Sequence, residues 1–141
     1  MSKIIHSFWT KPMFSDEKIE GSTLAKNINC FAVSCAYAKK LGATIELHTD
    51  NLGKKLLGFL PYDAIHTTLE GLAIEGDFDN NFWTAGKIET LKNMQLGDVH
   101  IDGDFFVKTP ETLAMLFNFD GDVLFQCSEK AVFPVIILIY S

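Results

Sequence analysis

Apolar residues recur along this chain in short blocks separated by polar joins, and the blocks change period as they go. "KIIHSFW" (residues 3–9) is a near-continuous apolar run of strand length. A polar Lys/Ser/Asp/Glu loop follows as far as Ser22 and Thr23, and "LAKNINCFAVSCAYAKKLG" then carries helix-compatible spacing. A Ser/Thr start, Lys39 and Lys40 in the last turn, and Gly42 as a stop complete the helix signal. "TIELHTD" returns to strand character, "NLGKKLLGFL" is a short helix that Asp50 can cap, and "DAIHTTL" is a third strand.

The alternation continues with a helix over "NFWTAGKIETLKNM", with Asn80 or Asn81 as cap, and a strand in "GDVHIDGD". Thr109 before Pro110 opens another helix, "PETLAMLFNF", because threonine accepts an unpaired amide and proline at the first position lacks one. "VLFQC" and the apolar "AVFPVIILIY" close the chain as strands. Strand and helix alternating with short joins predict an α/β domain with a mostly parallel sheet flanked by helices.

With 141 residues, 48% of them hydrophobic, and no linker or low-complexity run, the chain builds one core as a single domain over residues 1–141. A net charge of -6 without a basic stripe argues against nucleic acid or acidic membrane as partner. The N-terminus has no secretory run, and the C-terminal apolar segment, interrupted by Pro134, is about half the roughly 20 residues a bilayer demands. Cys30, Cys35 and Cys127 are odd in number and fit reduced core thiols, which places the chain in the cytoplasm.

Candidate chemistry concentrates in "HIDGDFFV". In an extended segment residues i and i+2 face the same way, so Asp102 and Asp104 can converge on one hard cation, with Gly103 leaving room for a ligand. The alternative is an Asp-Gly turn. The triplet returns at Asp120-Gly121-Asp122, where it sits between a helix end and a strand and reads as a turn. A competing idea gathers His6, His48, His66 and His100, all in or beside strands, into a zinc or iron centre for a hydrolase. No H-E-x-x-H spacing supports it, and G-x-S-x-G, phosphate-loop, G-x-G-x-x-G and EF-hand patterns are all missing.

Three stretches in order, "KIIHSFWTKPM", "FWTAGKIETL" and "VHIDGDFFVKTPETL", resemble bacterial glycosyltransferase-like proteins of the GT-A fold, related in pattern to capsular-polysaccharide and toxin-type sugar transferases. The resemblance covers about residues 3 to 126. It implies a nucleotide-sugar donor, an unknown saccharide acceptor, and manganese or magnesium on the donor diphosphate. By it, Asp104 ligates the metal, Asp102 reaches the ribose and the same metal, and Trp9 stacks on the base. Lys87, one turn beyond Trp83, falls near a basic residue for the nucleotide or phosphates. Relatives of this kind continue past the point where this sequence ends, so a truncated, non-catalytic remnant or interaction module is the alternative. An uncovered apolar C-terminal strand would pair with a second copy.

Overall fold

β1 (Ile4–Phe8), β2 (Ile45–Thr49), β3 (Ala64–His66) and β4 (Val99–His100) form a parallel sheet in the order β3-β2-β1-β4. β6 (Val135–Ile139) joins β4 antiparallel, and β5 (Val123–Gln126) joins β6 antiparallel at the edge. Four helices intervene: α1 (Gly21–Lys40), α2 (Asn51–Leu57), α3 (Thr84–Lys92) and α4 (Pro110–Phe117). This computed structural model describes residues 1–12, 21–72, 84–119, 123–126 and 135–139. The predicted α/β class with its mainly parallel sheet is therefore the observed one. The second D-G-D triplet, Trp83, Cys127 and the expected cap at Asn80 or Asn81 lie outside the described residues.

Local chemistry explains three of the helix ends. α1 stops at Gly42, whose φ of 76° is open to a residue without Cβ. Gly42 N donates to Lys39 O and Ala43 N to Ala38 O, the paired bonds of a Schellman cap. Asp50 caps α2 by accepting from Gly53 N, and Thr109 caps α4 by accepting from Thr112 N ahead of Pro110. At its start α1 departs from expectation: Ser22 and Thr23 lie inside the first turn, because the helix already begins at Gly21.

Side-chain alternation divides the sheet into unlike faces. Ile4, Ile45, Val99 and Ile101 meet Cys35 and Ala38 of α1 in one apolar cluster. Phe8 and Leu47 meet Phe31, Leu57 and Leu60 in a second. The other face carries Ser7, Glu46, His48, His66 and His100, because register partners in a parallel sheet point the same way and Ile5 stands opposite both Glu46 and His100. An unusually polar sheet face results.

Two expectations change here. β4 ends at His100, and Phe105 N donates to Asp102 O at 2.9 Å, so the D-G-D triplet belongs to a turn rather than to an extended strand. The i, i+2 argument for a shared direction does not apply to it. β6 is paired on both sides, with β4 and with β5, so the C-terminal apolar strand is interior and has no free edge to offer a second copy. Among the described residues no helix is long and apolar enough to cross a membrane.

Candidate functional site

The strand order reverses between β1 and β4: the chain moves from β1 outward to β2 and β3, then returns to the other side of β1. In open α/β sheets the carboxyl ends of strands flanking such a reversal splay apart and leave a crevice. A cavity of about 500 Å³ occupies that place. Ser7, Phe8 and Trp9 supply it from the end of β1, Gly86 and Lys87 from α3, and Asp102, Gly103 and Asp104 from the turn after β4. Thr23, Lys26 and Asn27 of the first turns of α1 face it as well. All five residues to which the glycosyltransferase resemblance points, Trp9, Lys87, Asp102, Gly103 and Asp104, line this one cavity, and none of the four candidate histidines does.

Their surroundings differ. Lys87 Nζ lies 2.6 Å from Asp102 Oδ1, a half-buried ion pair joining α3 to the turn. Asp104 is exposed, while Trp9 is 5% exposed and walled by Gly86, where an added Cβ would meet the Trp9 Cβ at 2.8 Å. With so little of the indole accessible, Trp9 forms a wall of the cavity rather than a stacking platform.

Gly103 is needed for packing. A Cβ there would stand 2.6 Å from two atoms of the Phe31 ring, which is itself held edge-on against His6 and Phe8. Gly103→Ala is expected to lower stability by about 2 kcal/mol, the usual order for overpacking, read as a lower denaturant midpoint at unchanged slope.

A buried hydrogen-bond chain fixes the same turn from below. Ser34 Oγ donates to Phe105 O at 2.6 Å, so it must accept from His6 Nε2 at 3.1 Å, and His6 Nδ1 accepts from Tyr62 Oη at 2.8 Å. This directionality requires neutral His6 with its proton on Nε2. Burial first, and then the cost of a second proton beside His100, pushes the His6 pKa down to about 3, and burial also raises that of the Tyr62 phenol.

His100, with its pKa brought to about 3 by burial and then by Lys87 and His48, places Nε2 2.8 Å from Ser7 Oγ, while its Nδ1 has no partner among the described residues. An unpaired lone pair is cheaper than an unpaired N–H. The proton therefore belongs on Nε2, and the Ser7 hydroxyl is left free to donate into the cavity. Cys35 is the buried core thiol expected, its pKa pushed up by burial to about 11, whereas Cys30 is only partly buried and lines the cavity.

The four histidines do not form one centre. His6 points to the α1 face, and on the opposite face His100 pairs with Ser7. His48 and His66 instead lie side by side with Glu46, a carboxylate that the sequence pattern did not single out. Its signal is the E-x-H spacing on β2, which alternation places on one face.

Residues 1–131 match a family described as "Family of unknown function (DUF6734)". The chain belongs to that family. No curated protein and no solved structure matches this DUF6734 chain.

Proposed function

We propose that the cavity at the β1/β4 reversal binds the nucleoside-diphosphate part of a sugar donor, and that the protein is a glycosyltransferase of GT-A-like architecture. The observation that carries this reading is the convergence of Lys87, Asp102 and Asp104 on a single cavity outside the carboxyl ends of the strands. Its volume of about 500 Å³ also falls within the ordinary range for small-molecule sites.

The residues present suit a hard divalent cation. Magnesium-type ions are commonly held by one or two carboxylates, with substrate phosphate and water completing the shell, and the turn offers two carboxylates beside open volume. When bound, manganese or magnesium supplies charge neutralisation for a departing diphosphate. Lys87 can pass from Asp102 to a phosphate oxygen, since both are anionic oxygen acceptors for the same ammonium. The Ser7 hydroxyl adds a neutral donor, and Gly103 keeps the turn seated on Phe31 so that both aspartates stay at the rim.

Calorimetric titration of UDP and GDP, with and without manganese, tests the proposal. Manganese-dependent binding of one nucleotide is expected, weakened at least tenfold in Asp104→Ala. Binding indifferent to manganese and to that substitution, or no binding to either nucleotide, overturns it.

A further inference from the structure

We propose that Glu46, His48 and His66 form a site for a divalent transition metal of the zinc class, separate from the cavity that holds Asp102 and Asp104. The site follows from strand geometry before any side-chain detail. Glu46 and His48 are two apart on β2 and share a face, and His66 is the register partner of His48 on parallel β3. Three potential ligands are therefore delivered by two adjacent strands of a hydrogen-bonded sheet, with no loop between them to position. Rigid elements of this kind hold ligand geometry better than loops do.

The side chains complete the arrangement. One ligand atom from each residue lies within 4.8 Å of the others, and His66 Nε2 is 3.0 Å from Glu46 Oε2. Ligand atoms on a tetrahedral zinc ion stand roughly 3.3 Å apart, given bonds of about 2.0–2.1 Å, so modest rotations close the set. His48 Nδ1 is held by Thr68 Oγ1 at 2.9 Å, which leaves Nε2 to ligate and orients the ring from outside, the usual support for a metal-bound imidazole. The two imidazole rings lie 4.8 Å apart between centroids, inclined at 37°.

Donor chemistry selects the metal class. Two imidazoles and one carboxylate suit zinc and its neighbours, whereas magnesium and calcium prefer an all-oxygen shell. Asp98 lines the same cavity of about 250 Å³, yet its two oxygens accept the backbone amides of Lys3 and Gln95, so it is not a fourth ligand. Three protein ligands leave a tetrahedral ion one position for water or a small anion.

One group opposes the ion. Lys3 Nζ lies 3.1 Å from both oxygens of Glu46. A metal there takes the place of the hydrogen bond from His66 and shares Glu46 with Lys3, so the lysine lowers affinity without filling the site. Removal of that ammonium should strengthen binding, a result that an incidental cluster of surface histidines would not give.

The experiment titrates zinc chloride into the metal-stripped full chain against a chromophoric chelator, and records the visible spectrum with cobalt(II). One equivalent of zinc is expected, with a tetrahedral cobalt spectrum lacking a thiolate charge-transfer band, since no cysteine takes part. His66→Ala, whose side chain is 42% exposed and whose removal leaves the core intact, should weaken zinc at least tenfold. Lys3→Met should tighten it severalfold, and an Asp102→Asn, Asp104→Asn double variant should bind as the parent does. Zinc affinity unchanged in His66→Ala, a thiolate band, or zinc lost in the double variant each overturns the site. Manganese-dependent nucleotide binding is read separately, so either proposal can fail alone.

Discussion

The protein is expected to lose about 3 kcal/mol of stability between pH 7 and pH 4 through His6 alone, as measured by urea unfolding at each pH. The imidazole is fully buried, with an ordinary pKa of 6.5 in the unfolded chain and about 3 in the fold. Above pH 6.5 both states are neutral there and the contribution is intact. As pH falls from 6.5 toward 3, the unfolded chain takes up a proton that the folded one refuses, and each pH unit removes up to about 1.4 kcal/mol. Below pH 3 the folded state is protonated too and the loss stops. His100, depressed for the same principal reason, acts in the same direction. In His6→Gln the slope of stability against pH over this window should fall by close to one proton; an unchanged slope would show that His6 is not the group being titrated.

The second large effect is assigned to Asp50→Ala, which should cost about 3 kcal/mol. Asp50 is 6% exposed and its carboxylate accepts from Thr10 N at 2.9 Å, Thr10 Oγ1 at 2.7 Å and Gly53 N at 2.8 Å. Loss of the cap on α2 accounts for about 1 kcal/mol. The remainder comes from the Thr10 amide, buried and left without an acceptor. Asp50→Asn keeps an acceptor oxygen and should cost clearly less. Because Thr10 follows Trp9, the alanine variant also frees the segment that walls the β1/β4 cavity, where we propose that nucleotide binds. Nucleotide affinity should therefore fall along with stability, although Asp50 lies outside the cavity lining.

Much of the architecture was legible because its determinants are local. Thr109-Pro110, Asp50 before Asn51, and Lys39-Lys40 ahead of Gly42 each mark an element end within a few residues, and the structure places ends at or beside them. Features that depend on register were not legible. The neighbourhood of Glu46, His48 and His66 exists only because β2 and β3 pair in one particular alignment, and the contact of Lys87 with Asp102 needs α3 packed on β1 beside the turn that follows β4. Likewise "VIILI" has the composition of an edge or a core strand alike; its place between β4 and β5 is set by long-range pairing. At D-G-D the sequence left an extended pair and an Asp-Gly turn both open, since a strand pattern over "GDVHIDGD" does not reveal that β4 ends at His100.

The buried chain from Tyr62 through His6 and Ser34 to Phe105 has a consequence for how the molecule opens. Each link hands its hydrogen to the next in one direction, and the last acceptor is the backbone carbonyl that follows the aspartate turn. Moving that turn outward while β1 and α1 remain docked leaves the Ser34 hydroxyl without its acceptor in the interior. One lip of the β1/β4 cavity is thus tied to the interior through Phe105 O, and moving it outward costs the hydrogen bond of a buried hydroxyl.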